Sequence, residues 1–323
     1  MKAASLFSGG LDSLLSVKII QFQGIEVIPI TFVSHFFGAE NARKCAKANG
    51  LNLVIKDLSH KHFEVVLNPK FGYGRGMNPC MDCHALMIKE AFNFSREIGG
   101  EFIITGEVLS QRPKSQTMEG LVGVDKLTAL GDITLRPLSS KLLPPTRPER
   151  EGIIDREKLY GISGRSRKKQ IELSVEFGVS EFTSPAGGCI LTDEVFSKRL
   201  SLAVRFCEFS ESLVDLIGIG RHFRLNHSLF IVSRNEDEER KLRDNGGALF
   251  ELVGCVGPIG LLFECGKEFR GQQVVPIEND PLLAARILAR YAGNDFKGVR
   301  RPSGETIVVE PLDKFTTEKL LII

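Results

Sequence analysis

Six residues near the start of the chain, Ser8-Gly9-Gly10-Leu11-Asp12-Ser13, leave few folds open. They follow an apolar run, Ala3-Ala4-Ser5-Leu6-Phe7, that reads as a buried strand. They precede Leu14 to Gln23, which reads as a helix closed at Gly24. The six residues therefore form a turn between a strand and a helix N-terminus. Gly9 and Gly10 let backbone N–H groups approach a phosphate closely, and the helix dipole favours its negative charge. Ser8 and Ser13 add hydroxyl donors. Asp12, a carboxylate among phosphate donors, makes chemical sense if it holds a magnesium ion. An ordinary glycine turn with a Ser/Asp cap contains the same residue types, but its place at the first strand and before a helix favours a nucleotide site. The string lacks the terminal Gly-Lys-Ser/Thr of a Walker loop.

Strands and helices alternate downstream. Ile25 to Val33 reads as a strand, Ala39 to Asn49 as a helix closed by Gly50, and Leu51 to Leu58 as a third strand. This alternation predicts an α/β fold with a parallel sheet covered on both faces and ligands at the carboxyl ends of its strands. The hexapeptide resembles the PP-loop, SGGxDS, of ATP pyrophosphatases. The resemblance implies a Rossmann-like PP-loop domain, of the adenine nucleotide alpha hydrolase-like kind, that splits ATP into AMP and pyrophosphate and places AMP on a carbonyl oxygen.

The chain has seven cysteines, an odd number at irregular spacing, which do not suggest a disulfide framework. A reducing cytoplasm fits better. A glycine-rich loop, Gly72 to Asn78, leads into Pro79-Cys80-Met81-Asp82-Cys83-His84. Ala85 to Ile98 then reads as a helix by the spacing of Leu86, Ile88, Ala91, Phe92 and Phe94. Cys80 and Cys83 thus fall at or just before a helix N-terminus, a location that lowers a thiol pKa. Cys189 closes Ser184-Pro185-Ala186-Gly187-Gly188, whose small residues let its backbone approach something closely. Cys45, Cys207, Cys255 and Cys265 lack such settings and read as buried small hydrophobes. Three thiolates from two loops are open to three readings. They hold a 4Fe-4S cluster with one iron left open, they carry sulfur without a cluster, or they hold zinc with His84 as a fourth ligand.

Asn78-Pro79-Cys80 with Cys83, followed by Gly188-Cys189, looks like tRNA 2-thiouridylase. Thr105-Gly106-Glu107, Leu109, Gln111 and Ser115-Gln116-Thr117, with Leu135-Arg136-Pro137-Leu138, resemble the pyrophosphatase domain of tRNA 4-thiouridine synthetase. The resemblance covers roughly residues 1–200. It implies a sulfurtransferase with Asp12, Cys80 and Cys189 as catalytic groups. Ser8, Gly9, Gly10, Asp12, Ser13, Gly106 and Gln111 would bind ATP and magnesium, and Cys80, Cys83 and Cys189 would hold the metal group. The N-terminal RNA-binding module and the rhodanese domain of those synthetases do not fit ahead of a loop that begins at residue 8, so tRNA docking and sulfur supply are not carried over from them.

The proline-rich run Leu142 to Pro148 reads as a linker or bend. After it, Arg165-Ser166-Arg167-Lys168-Lys169-Gln170 precedes an amphipathic helix with Ile171, Leu173, Val175 and Phe177. Such a string is either a solvated helix start or, near Cys189, a set of RNA phosphate contacts from Arg165, Arg167, Lys168 and Lys169. Beyond about residue 205, Gly220 to Ser233 reads as a β-hairpin, Asn235 caps a helix, Leu249–Val253 and Ile259–Glu264 read as strands, Asp280-Pro281 opens a helix closed at Gly293, and Thr306 to Glu310 is a last strand. This is a small α+β domain without a catalytic constellation. Its Gly220-Arg221-His222-Phe223-Arg224 segment is similar to the RNA-binding domain of NFACT proteins, with His222 in a structural role.

The expected domains are 1–145, a PP-loop pyrophosphatase; 146–204, a basic extension carrying Cys189; and 205–323, an RNA-binding domain. The formal charge of +2 requires any polyanion to be met by local patches, and no apolar run reaches the roughly 20 residues that span a bilayer. The expected activity is ATP-dependent thiolation of a tRNA uridine. The expected partners are tRNA and a sulfur donor, a cysteine desulfurase persulfide or sulfide, with no membrane and with a homodimer left open. The other readings are an adenylating ligase or amidotransferase of another substrate, and a non-catalytic, ATP-responsive RNA-binding protein.

Overall fold

A computed structural model describes residues 1–179, 181–183, 189–207, 209–245, 247–265, 279–293 and 295–322. The chain divides into two compact units, Met1–Ile190 and Leu191–Ile323. The division falls ahead of the helix that opens the second unit rather than near residue 205.

The first unit runs β1 (Lys2–Leu6), α1 (Leu11–Phe22), β2 (Glu26–Val33), α2 (Glu40–Ala48), β3 (Val54–Asp57), α3 (Ser59–Leu67), α4 (Cys80–Glu97), β4 (Ile103–Ile104), α5 (Met118–Thr128), β5 (Thr134–Leu135), α6 (Arg147–Arg150) and α7 (Lys168–Glu176). Its sheet has the order β3-β2-β1-β4-β5, and every pairing is parallel. Successive side chains of a strand point to opposite faces, so Ala3 and Ala4 enter different cores. Ala3 packs with Leu11, Leu15 and Ile19 of α1 and Leu173 of α7. Ala4 packs with Ala85 and Ile88 of α4 and Val124 of α5. Both faces are covered, and small side chains on the central strand bring the helices close. The order reverses between β1 and β4, which opens the crevice where ligands of such sheets bind.

Two local expectations need correcting. The proline-rich run is no linker: Thr146 caps α6, its backbone N–H and Oγ1 both reaching Glu149 Oε2, at 2.7 and 2.6 Å. On α7 the buried residues are Gln170, Leu173 and Ser174, whereas Ile171 and Val175 are exposed. Ile171, Leu173, Val175 and Phe177 recur every second residue, so they cannot share one face of a helix.

The second unit runs α8 (Glu194–Phe206), α9 (Val214–Ile217), β6 (Arg221–Arg224), β7 (Ser228–Val232), α10 (Glu236–Asp244), β8 (Ala248–Val253), β9 (Gly260–Glu264), α11 (Asp280–Arg290), β10 (Lys297–Arg300), β11 (Thr306–Val309) and α12 (Lys314–Leu320). Its antiparallel sheet has the order β11-β10-β8-β9-β7-β6. Phe223, Phe230 and Phe250 pack against Leu283, Ile287 and Leu288 of α11. A Cβ at Gly260 would lie 2.2 Å from the Phe230 ring, so the glycine makes room for that aromatic. Cys207 and Cys265 form a disulfide, and Cys255 is exposed. Cys265 is buried as expected but bonded to Cys207, Cys255 is not buried, and only Cys45 of that group is a buried thiol. Spacing along the chain carries no sign of this pairing, because the separation of 58 residues is closed by the sheet. Among the described residues, no helix is long and apolar enough to cross a membrane.

Candidate nucleotide and thiol site

The Ser8–Ser13 turn lies at the carboxyl end of β1. Gly10 precedes α1 and no side chain caps that helix, so the N-terminal end of its backbone is left for an anion. Gly9 has φ +78°, and a Cβ there would sit 2.5 Å from the Asn41 carbonyl oxygen. Gly106, at the end of β4, would place a Cβ 2.6 Å from Ser13 N and Cα. Gly106 thus acts by letting two backbones meet. Ser13 Oγ donates to Gly10 O at 2.8 Å and accepts from Ser8 N at 3.3 Å. That hydroxyl is spent inside the turn rather than held out to a ligand.

Asp12 begins a cluster that spacing did not reveal. Arg167 Nη2 lies 3.7 Å from Asp12 Oδ2. Burial pushes the Asp12 carboxyl up; Arg167, Gln111, Gln170 and Arg112 act against it without prevailing. The two glutamine amides approach the carboxylate, yet Asp12 Oδ1 is buried without a hydrogen-bond partner. So are Arg167 Nε and both amide atoms of Gln170, a residue with no exposed surface. A buried polar group left open costs roughly 1–3 kcal/mol. Several of them converging on one turn mark a place where a ligand supplies the missing partners. An unpartnered carboxylate oxygen is the donor magnesium takes, so Asp12 fits that ion.

The chain that leads toward Cys189 passes beside this turn. Thr183 pairs in parallel with Gly10, and its N–H and Oγ1 both donate to Gly9 O, at 3.0 and 2.9 Å. Glu181 O accepts from Asn49 Nδ2 at 2.8 Å and from Cys45 Sγ at 3.4 Å. Residues Ser184 to Gly188 of the small-residue motif lie outside the described residues.

Cys80 and Cys83 occupy the first turn of α4 rather than the loop before it. The N-terminal location was expected to lower their pKa, but burial prevails and raises both. Arg112, the Cys80 N–H and Lys114 oppose the rise at Cys80. At Cys83, repulsion from Cys189, Cys80 and Asp82 adds to it. Cys83 therefore stands within electrostatic reach of both other thiols. Among the described residues, no group of three or more such donors is closed around a metal position. In kind, three soft thiols fit an iron–sulfur group better than a hard cation.

His62 was missed altogether. Its ring is buried, with Nε2 2.7 Å from Cys83 Sγ and Nδ1 3.0 Å from Ser34 Oγ. Burial and the nearby His35 hold its pKa down at about 4, so it is neutral. No motif advertises it; a histidine between Ser59 and Leu67 looks like any helical surface residue. His84 turns to Glu107 Oε1 at 2.8 Å, away from the zinc role considered for it. Glu107 Oε2 accepts from Arg136 Nε at 2.9 Å, and Arg136 forks onto Asp125 at 2.7 and 3.1 Å. Burial pushes Glu107 up, but Arg136 and His84 prevail and hold it at about 2. Glu107 and Arg136 thus form a buried brace between β4 and α5. Of the basic string, Arg165, Lys168 and Lys169 are exposed, Lys169 pairs with Glu172 at 3.1 Å, and Arg167 faces Asp12.

A parallel sheet with this loop at its switch point defines the PP-loop class of nucleotide-binding domains. Within that class, residues 1–141 match the family model described as thiamine biosynthesis protein (ThiI), and the N-terminal unit is similar to that family. A probable tRNA sulfurtransferase from Lysinibacillus sphaericus is 24% identical over 248 residues, 74% of this chain and 54% of that protein. A tRNA-specific 2-thiouridylase from Bartonella quintana is 27% identical over 124 residues, 33% of this chain and 30% of that protein. The solved U34-tRNA thiolase NcsA from Methanococcus maripaludis, with its 4Fe-4S cluster, aligns with a TM-score of 0.34 at 17% identity, covering 67% of this chain and 70% of that one. The chain spans about a third to a half of the length of the two curated relatives named here.

Proposed function

We propose that the protein is an ATP-dependent tRNA sulfurtransferase that adenylates a uracil carbonyl and replaces its oxygen by sulfur. The observation that carries the reading is Arg112. Its charge acts on Asp12 in the nucleotide turn and on Cys80 in the thiol group. The charge of one side chain therefore reaches both the turn where a carbonyl would be activated and the thiol where sulfur would arrive.

A pyrimidine carbonyl oxygen is a poor leaving group. The uracil oxygen attacks the α-phosphate, the bond to pyrophosphate breaks, and pyrophosphate departs with the electron pair. The α1 N-terminus and the Ser8–Ser13 backbone stabilise the charge that develops, and Asp12 would hold magnesium. Sulfur then adds to the activated carbon, and AMP leaves with the former carbonyl oxygen. Cys80, Cys83 and Cys189 would hold a 4Fe-4S cluster, which when bound supplies an iron open to carry sulfur. Burial raises the pKa of Cys80 and Cys83 and keeps these two as thiols until a metal or a base takes the proton. The target base must be unstacked to reach the turn. Arg165, Lys168 and Lys169 are surface cations suited to RNA phosphates, and the C-terminal unit supplies the rest of the tRNA affinity.

The test is pyrophosphate release with and without tRNA and a sulfur donor, together with mass analysis of nucleosides from tRNA of a deletion strain. Release that requires tRNA, and loss of one thiolated uridine in the strain, support the reading. Release that is indifferent to tRNA sinks it and favours an adenylating ligase of another substrate.

A further inference from the structure

We propose that Arg167 and Gln170 complete the Mg–ATP site, Arg167 through Nε on the departing pyrophosphate and Gln170 on the phosphate–magnesium cluster. The inference rests on the adenylation reading and assigns these residues to the nucleotide rather than to RNA.

The composition of the open groups points to the ligand. Arg167 Nε and Gln170 Nε2 are donors, and Asp12 Oδ1 and Gln170 Oε1 are acceptors, all buried and all without partners. A bare anion would satisfy the donors and repel the carboxylate. A bare cation would do the reverse. A polyphosphate carrying a divalent cation satisfies both sets, with phosphate oxygens on the nitrogens and the metal on the oxygens. The surroundings agree. Gln111 also approaches Asp12, and the α1 N-terminus opens onto the same turn. The main chain is held for this purpose: Gly164 N donates to Leu109 O at 2.8 Å, and Leu109 pairs with Ser163. The segment that carries Gln111 and the one that leads into Arg167 are thereby laid side by side. Gln170 lies one turn after Arg167, on the buried face of α7 with Leu173.

The experiment compares parent, Arg167→Ala, Arg167→Lys and Gln170→Leu by thermal shift and titration with Mg–ATP, Mg–pyrophosphate and AMP, alongside pyrophosphate release and tRNA binding. Gln170→Leu should raise the melting temperature of the ligand-free protein, since an open amide is removed. It should also weaken Mg–pyrophosphate by about 10-fold, and AMP hardly at all. Arg167→Ala should lower the rate constant of pyrophosphate release by about 10²-fold or more, with a smaller change in KM, and Arg167→Lys should recover part of it. tRNA affinity should stay at the parent level in all three. Parent-like affinity for Mg–pyrophosphate in Gln170→Leu and Arg167→Ala overturns the proposal. So does a loss of tRNA affinity and salt dependence in Arg167→Ala with nucleotide binding intact, which is the RNA-contact outcome. Should Gln170→Leu fail to fold, the Arg167 pair decides alone. Failure of adenylation itself shows in the parent, which would then release no pyrophosphate and gain no stability from Mg–ATP, and both readings fall together.

Discussion

In the N-terminal unit, Asp12, Arg167 and Gln170 keep buried polar atoms open around one turn. In the C-terminal unit, buried charge is closed. Asp280 accepts from Asn226 N and His227 N at 3.0 and 2.7 Å, and Glu238 accepts from Arg234 N and Nε at 2.7 and 2.9 Å. Its two unpartnered side-chain nitrogens among the described residues, Arg199 Nε and His222 Nδ1, stand without a carboxylate open beside them. Cysteine use divides the same way. Cys45, Cys80, Cys83 and Cys189 remain outside disulfides in the first unit, whereas the second joins Cys207 to Cys265 and leaves Cys255 alone as a thiol. The lesson concerns what each unit is optimised for. Unmet hydrogen-bonding capacity and thiols kept out of disulfides are the means of chemistry; met capacity and a cross-link favour a rigid surface.

The strongest way to break this contrast is Asp12→Ala. Pyrophosphate release should fall about 10³-fold or below detection, while the melting temperature holds or rises because a buried carboxylate disappears. A fall in stability without loss of release would make the open groups a packing feature. Next, each of Cys80→Ala, Cys83→Ala and Cys189→Ala should destroy thiolation and, in anaerobically reconstituted protein, iron binding near four per chain and its broad visible absorbance. Cys207→Ala should leave both intact. If Cys83→Ala thiolates tRNA with a persulfide donor and no metal, Cys80 and Cys189 are instead carrier and resolving partner.

Removing the second unit should weaken tRNA binding and reduce its salt slope while ATP binding persists. Unchanged tRNA affinity would place recognition in the first unit. Thiol titration of denatured, unreduced protein should count five thiols against seven after reduction. Reduction should lower the stability of the second unit by up to about 4 kcal/mol, the chain-entropy value for a loop of this length.

The smallest effect is on pH. Burial, helped by Arg199, holds His222 down at about 3 from an ordinary 6.5. The unfolded chain takes a proton there before the folded one does, so stability of the second unit is full above about 6.5 and declines as pH falls toward 3. Glu107, held at about 2 from an ordinary 4.5, keeps its contribution in the first unit until pH falls below 4.5. Protection factors between pH 6.5 and 5 should therefore fall in both units, since His62 of the first is also held down, at about 4, and His222→Phe should flatten the fall in β7 and α11 alone. An unchanged pH dependence of the second unit in His222→Phe would break the assignment.

Much of the first unit was legible because local signals and tertiary need coincide there. Strand, glycine turn and helix are adjacent in sequence, so the Ser8–Ser13 turn and the parallel sheet follow from short-range rules, as does the cap of α10 by Asn235 in the second unit. The cysteine positions were legible as chemistry, not as electrostatics: helix placement argued for low pKa, and burial, which no short window reports, reversed it. α7 shows the same boundary. A basic string followed by apolar residues read as a solvated start, yet Gln170 held the buried stripe with Leu173, and a polar residue at that spacing was the signal available.

What the sequence by itself determined was therefore the nucleotide turn, the alternation of elements and the supply of soft ligands, since each depends on neighbours within a few residues. Only the tertiary structure decided that Arg167 turns to Asp12, that His62 meets Cys83, that Cys207 finds Cys265, and that Gly106 rests on Ser13. Those outcomes join segments far apart in the chain. They are set by which side chains the sheet order brings within a few ångströms and how much water it removes, and hydrogen bonding, charge and desolvation act only over those distances.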